Sequence, residues 1–310
     1  MAEQNFYIDM ELNTSLDNII DVIEFCKQQN IRWNFSYHDN IPYMLVKSKR
    51  YEEIEYLIIS SGKEYYEKFI CQCINSRRSK VIDEFRDVLK FIISTQIKNS
   101  ETPIDVLLYV MDHNINVVEV LLECFLDNRD ENLLDNTTLD DYINSNNGIA
   151  LITAVGINNL DMVKLLIKHG ATINVCTKDP IIEALQNNSI EMVNYLINNG
   201  SKIKNIKNKL IEQLISENCT NSIKYIMRLM KKGKMKKIDW SKYLDLVIRY
   251  GKPNMLNLLL NTGIDISDKC NEYINISQAE SNKEMIMYLT LLKNNCLERA
   301  NKLWFDKIRK

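Results

Sequence analysis

Apolar residues return along this chain in one register. In the stretch DMVKLLIKHGATINV (161–175), Val163, Leu166 and Ile167 fall at i, i+3 and i+4, which is one face of a helix. The same triplet recurs downstream as Val193/Leu196/Ile197, Ile223/Ile226/Met227, Leu256/Leu259/Leu260 and Ile286/Leu289. Upstream it recurs as Val118/Leu121/Leu122, Val88/Phe91/Ile92, Ile54/Leu57/Ile58 and Val22/Phe25/Cys26. The first members are separated by 32, 34, 30, 45, 30, 30, 33 and 30 residues. Unrelated helices recur irregularly, whereas a nearly fixed period of this size marks stacked structural units.

Each unit carries a second apolar segment ahead of its triplet, as in TPIDVLLYVMDHN (102–114), IALITAVGINN (149–159), PIIEALQNN (180–188), KLIEQLISEN (209–218) and KYLDLVIRYG (242–251). Two helices and a connector fill the period, so there is no room for a parallel sheet. Neither helix of one unit hides its apolar face alone. Gly170, Gly200 and Gly263 each follow the triplet where a helix would end, and a glycine there can close the terminal carbonyls in the left-handed conformation. Three residues on stand Ile173, Ile203 and Ile266, which are expected to fold the outgoing loop back onto the stack.

Composition agrees with this picture. Apolar residues make up 45% and charged residues 26% of the 310, so the chain can bury a core, and eight glycines and four prolines leave few breakers. The abundance of Asn, Ile, Lys and Tyr matches A/T-rich codons and speaks to source rather than chemistry. A formal net charge of -2 gives the whole molecule no pull toward nucleic acid or anionic membrane. The start, MAEQNFYIDMELN, lacks the basic and apolar regions of a leader, and no window approaches the roughly 18 apolar residues of a membrane span. The chain is therefore expected to be soluble and intracellular, in the cytoplasm, with the nucleus as an alternative. Its eight scattered cysteines read as reduced, mostly buried thiols.

These units resemble the ankyrin repeat, a β-turn finger and two antiparallel helices in about 33 residues with a T-P-L-H-x-A start. TPIDVL (102–107) and DPIIEA (179–184) look like that start, and DMVKLLIKHGATIN and EMVNYLINNGSKIK look like its second helix and exit. Asp105 and Glu183 stand in place of the histidine, and Asn159 or Asn188 in place of the glycine between the helices. The resemblance covers residues 16 to 293. It implies an all-α fold, a single, slightly curved ankyrin-type solenoid of about eight to nine stacked helix pairs. The degenerate units and the Asn/Ile/Lys bias are most similar to the ankyrin-repeat proteins of large DNA viruses such as mimivirus, with amoebal and apicomplexan genomes as alternatives. Poxvirus relatives end in an F-box-like segment that recruits ubiquitin ligases. The end here, CLERANKLWFDKIRK, does not match that segment, which weakens the ligase-adaptor alternative. It reads instead as an amphipathic cap with Leu297, Ala300, Leu303 and Trp304 inward. The expected organisation is a cap and first unit (1–40), degenerate repeats (41–122), an acidic insertion (123–147), clearer repeats (148–293) and a capping helix (294–310).

Chemistry-bearing signals are sparse. His169 precedes Gly170 at a helix end, where the open carbonyls and the dipole favour it. His38 and His113 have no Cys or carboxylate at ligand spacing, and no zinc, phosphate-loop, dinucleotide or nucleophile-elbow motif occurs. Cys71 and Cys73 point to different sides of a helix, without a second pair to complete a metal site. No catalytic residue, cofactor or metal is implied.

Two charge runs stand out. In RLMKKGKMKKIDW (228–240), Arg228, Lys231, Lys232, Lys234, Lys236 and Lys237 are basic, at the place where that unit should project its finger. The run is a solvated loop, a nuclear-import sequence or a contact for an acidic partner. Specific nucleic-acid recognition is disfavoured because only Trp240 supplies an aromatic. ECFLDNRDENLLDNTTLDD (123–141) lies in the one interval of 45 and carries Glu123, Asp127, Asp130, Glu131, Asp135, Asp140 and Asp141. Insertions in a solenoid map to loops on one face, often the binding face, and the alternation and glycine of a calcium loop are missing. The function implied is a non-catalytic, monomeric scaffold that binds host or viral proteins and not membrane, with a basic-loop protein that enters the nucleus or contacts nucleic acid as the disfavoured alternative. Its contact residues are expected at the fingers, Thr172, Asn174, Lys178, Lys202, Lys204, Thr262 and Asp265, and on a first-helix face, Tyr243 and Arg249.

Overall fold

The computed structural model describes residues 16–29, 40–61, 68–70, 73, 85–100, 102–111, 115–127, 137–203 and 206–294. It comprises two compact units, Met1–Ala154 with Asn159–Val175, and Val155–Asn158 with Cys176–Lys310. The all-α helical-repeat class expected from the period is the class the chain adopts. Among the described residues no strand forms, and the fingers are short turns and 3-10 segments such as Ile173–Val175 and Ser267–Lys269.

In the first unit, α1 (Leu16–Gln29), α2 (Asn40–Lys47) and α3 (Tyr51–Ser61) pack on one another, and α3 packs on α4 (Arg86–Asn99). Next come α5 (Ile104–Met111) and α6 (Ile115–Asp127), a short α7 (Leu139–Ile143), α8 (Ser145–Gly156) and α9 (Leu160–Lys168). Helix α6 packs against α4, α5, α7 and α9. The second unit is four helix pairs: α10 (Pro180–Gln186) with α11 (Ile190–Asn198), α12 (Asn208–Ser216) with α13 (Thr220–Lys231), α14 (Leu244–Tyr250) with α15 (Pro253–Leu260), and α16 (Cys270–Ala279) with α17 (Lys283–Lys293). First helices pack on first helices and second on second, giving two rows with the core between.

Helix α9 shows why these residues form this element. The Asn159 side chain accepts a hydrogen bond from the Met162 N–H at 3.0 Å, capping the start. Val163 and Leu166 are fully buried, each such side chain contributing roughly 1.5–3 kcal/mol. At the end, the Gly170 N–H donates to the Ile167 carbonyl at 3.2 Å and the Ala171 N–H to Leu166 at 2.9 Å, with Gly170 at φ +100°. A column of methionines was not apparent from the triplets alone. Met162, Met192, Met255 and Met285 each immediately precede a triplet, and all four are fully buried.

Two expectations are corrected here. The left-handed residue between the helices is Asn158, at φ +55°, whereas Asn159 is extended because it serves as the cap. Asn188 does take the left-handed position, at φ +55°, a conformation asparagine tolerates better than most residues. Among the described side chains of α1, Ile23 is buried, while Phe25 of the expected triplet is 52% exposed.

Side-chain hydrogen bonds that each span about one unit tie neighbours of the second unit together. Asn187 Nδ2 donates to the Val155 and Gly156 carbonyls at 2.8 and 3.0 Å, Ser222 Oγ to Leu185 at 2.6 Å, and Asn282 Nδ2 to Gly251 at 3.0 Å. Each serves a carbonyl that the preceding first helix leaves open at its end. Asn188 Oδ1 likewise accepts from the Ser222 N–H at 3.0 Å. One unit later the pattern breaks: Met255 N–H donates to Asn254 Oδ1 at 2.9 Å, and Asn218 Oδ1 is left buried without a partner.

Candidate interaction surface

The fingers place Thr172, Asn174, Lys178, Lys202, Thr262 and Asp265 in solvent. Lys204 lies outside the described residues. Several of these side chains are already engaged locally. Thr262 Oγ1 donates to the Leu259 carbonyl at 2.7 Å, Lys178 pairs with Glu183 at 3.6 Å, and Asp265 accepts from Ser267 N–H and Oγ at 2.9 and 2.6 Å. Those Ser267 bonds hold the Asp265 carboxyl below the ordinary carboxylate range. Of the loop isoleucines, Ile266 is buried and Ile173 and Ile203 are half-buried. Tyr243 is not an exposed first-helix residue. It is 6% exposed, in the 3-10 turn Trp240–Tyr243 that enters α14, with its ring 6.1 Å from that of Trp240. Arg249 is half-buried and bridges Asp245 at 2.8 Å and Glu280 at 3.0 Å, linking α14 to the end of α16.

The long interval contains a folded element. Thr138 and Asp141 form a reciprocal capping box that starts α7. Tyr142 is buried, with its hydroxyl donating to the Pro103 carbonyl at 2.9 Å and its ring 4.6 Å from Phe125. Asn144 then reads the finger after α9: its Nδ2 donates to the Gly170 carbonyl at 2.9 Å and its Oδ1 accepts from the Thr172 N–H at 2.7 Å. The Asp140 carboxylate lies where a Cβ on Gly170 would stand. The insertion is thus no simple loop over residues 137–147. Asp140 and Asp141 are exposed but occupied at this joint, the Asp127 side chain is not described, and Asp130, Glu131 and Asp135 lie outside the described residues. Glu123, at the start of that acidic run, is held in α6 by the Arg86 guanidinium and by Lys90 Nζ at 3.2 Å. Partial burial pushes its carboxyl up, but the bonds and charges of Arg86 and Lys90 outweigh this and hold it below the usual range.

The basic run is partly helical. Helix α13 continues to Lys231, and Gly233, at φ +67°, closes it with the bonds seen at Gly170: Gly233 N–H to Met230 O and Lys234 N–H to Leu229 O, both 3.0 Å. Gly170 and Gly200 stand seven residues after the first triplet member, Gly233 ten. Those three extra residues account for the interval of 33. Arg228 and Lys231 occupy the last helical turn, Lys232 caps it, and Lys234, Lys236 and Lys237 follow in the loop. Trp240, the one aromatic of the run, is buried.

Residues 104–208 match the family model of ankyrin repeats, in three copies. The chain contains ankyrin repeats. The matched segment runs from α5 to the start of α12, and helix pairs of the same construction continue past it to α17. No curated protein matches the chain. In ankyrin terms the repeat signature was legible at DPIIEA, where Asp179 accepts the Ile181 N–H at 3.0 Å and Pro180 opens the helix. The side chains that stitch one ankyrin unit to the next were missed, because a single Asn or Ser carries no periodic apolar signal.

Among the described residues the free cysteines are buried or, at Cys176, half-buried. Burial pushes the Cys73 thiol up to about 12, and burial with the Asp179 charge pushes Cys176 to about 11, so neither thiol is activated as a nucleophile. Cys71 lies outside the described residues, as do His38 and His113. His169 is the C-cap residue of α9, through its backbone N–H. Among the described residues no three His, Cys, Asp or Glu side chains are grouped to hold a metal, and no helix is long and apolar enough to cross a membrane. A shallow cleft of about 320 Å³ lies beside the last finger, lined by Leu260, Ile264, Asp265, Cys270, Leu292 and Lys293.

Proposed function

We propose that this protein is a non-catalytic scaffold that binds proteins across its first helices and fingers. Ankyrin repeats are in general protein-interaction modules, and one observation carries the reading to this chain. The inward positions Ile181, Ile211 and Leu244 stay apolar and buried from unit to unit, while an exposed column at the same spacing changes in kind. Ile182, Glu212, Asp245 and Asn275 occupy that column on α10, α12, α14 and α16, separated by 30, 33 and 30 residues, and all four are exposed. An invariant frame with a variable surface is what a recognition surface needs. The composition bias supports a source among large DNA viruses, and with that source go our proposals of an intracellular, cytoplasmic place of action and of host or viral proteins as partners.

The test is affinity purification of the full chain from its native cells with mass spectrometry, alongside a variant with all four column residues changed to Ser. Partners lost by the variant while its unfolding midpoint stays fixed support the reading. Retention of every partner by the variant overturns it.

A further inference from the structure

The end of α13 differs from every other helix end in the second unit. At α11 the corresponding residues are Asn198, Asn199 and Gly200, and at α15 they are Asn261, Thr262 and Gly263. At α13 six cations stand within ten residues with no carboxylate among them, so the rest of the chain carries a formal charge of -8. All six are exposed, and none forms an ion pair among the described residues, whereas Arg249 and Lys178 of the same unit are paired. The three extra residues and the closure at Gly233 hold Lys231 and Lys232 on a helix end and lead directly into Lys234, Lys236 and Lys237. At about 1.5 Å per helical residue and 3.3 Å per extended residue, the contour of the patch is at most on the order of 20 Å, and the turn at Gly233 shortens its reach. A peptide of at most about six extended residues covers it.

We infer that this patch docks an acidic protein segment, a short run of Asp and Glu on a partner. The inference rests on the protein-binding reading above and names one class of partner sequence. Charge complementarity supplies the attraction. Five of the six cations are lysines, compact charges suited to single carboxylates rather than to the two-pronged base-edge contacts of arginine. Single-stranded nucleic acid needs exposed rings on which bases stack, and Trp240 and Tyr243 are both buried. The patch is also bounded: Asp239 follows two residues after Lys237, its carboxyl held low by Ser241. A short acidic segment can end where the cations end, whereas a long polyanion would continue past them.

The experiment is fluorescence anisotropy on the full chain with three labelled probes: a peptide alternating Glu and Gly, the same peptide with Gln for Glu, and DNA of matched charge, single-stranded and duplex. The acidic peptide should bind, weaken at least about tenfold between roughly 50 and 300 mM salt, and lose about tenfold or more with Lys231, Lys232, Lys234, Lys236 and Lys237 changed to Ser. The Gln peptide should not bind. Equal binding of the acidic peptide by wild type and variant overturns the inference. So does tighter binding of DNA than of peptide that the variant loses, which assigns the patch to nucleic acid. If partners still depend on the first-helix column while the acidic peptide fails to bind, only the docking inference falls.

Discussion

Two of the departures from a 30-residue spacing, the intervals of 45 and 33, are built in opposite ways. Between Val118 and Val163 the chain adds a capped helix whose Tyr142 is 2% exposed and whose Asn144 grips the backbone of the next finger. Between Ile223 and Leu256 it adds nearly one helical turn in which Leu229 and Met230 are only half-buried, and six cations there and in the following loop stand in water. Both runs are charged, and charge alone would class both as surface loops. What separates them is that Tyr142, buried with its hydroxyl on the Pro103 carbonyl, stands within the acidic segment, whereas no residue from Arg228 to Lys237 is fully buried and Trp240 is buried only after the cations end. The acidic segment over residues 137–147 is therefore part of the first unit's structure, and the basic segment is surface available for recognition.

That contrast can be broken by mutation. The largest effect is expected from Tyr142→Ala, which should cost about 3–5 kcal/mol in urea unfolding, with Tyr142→Phe costing only about 1 kcal/mol for the lost bond to Pro103. A near-silent Tyr142→Ala would return the insertion to the class of surface loop. Next, Gly170→Ala and Gly200→Ala should each cost about 1–2 kcal/mol for an alanine at positive φ. Gly170→Ala should be the more damaging, because Asp140 occupies the Cβ site there and nothing does at Gly200. Equal losses would show that the insertion does not press on the finger.

A smaller effect is expected from acid. The Glu123 carboxyl sits below its ordinary value of 4.5 when folded, so the stability from its pairing with Arg86 and Lys90 is complete above that pH and is lost as pH falls through the lower folded value. Unfolding followed between about pH 6 and pH 3 should show this slope, and Glu123→Gln should flatten it. Smallest of all, changing the five lysines of the α13 end to Ser should move unfolding by less than about 0.5 kcal/mol. A larger loss would mean that the extension is structural after all.

Much of the architecture was legible because apolar burial is periodic. Val163, Val193, Ile223 and Leu256 announced the second helices by spacing, and Gly170, Gly200 and Gly263 announced their ends. The closure at Gly233 was passed over, because it stands three residues out of register and only the backbone bonds to Leu229 and Met230 reveal it. The surface was less legible. Tyr243 and Arg249 were expected as free contact residues, yet one is packed beside Trp240 and the other is engaged by Asp245 and Glu280. Exposure depends on which neighbours fold onto a side chain, from the same turn as with Trp240 or from the next unit as with Glu280, and apolar periodicity does not specify them.

The sequence by itself determined the helix pair, its period and the residues that face inward, because each of these follows from the local geometry of a helix and the cost of leaving apolar surface in water. Tertiary structure alone decided which charges are free. Whether Asp140, Arg249 or Lys231 is engaged depends on groups 26 to 37 residues away or on their absence, as with Asn144 and Gly170, Arg249 and Glu280, and Arg86 and Glu123. A polar side chain satisfies itself through single directed bonds, and those bonds leave no period in the sequence.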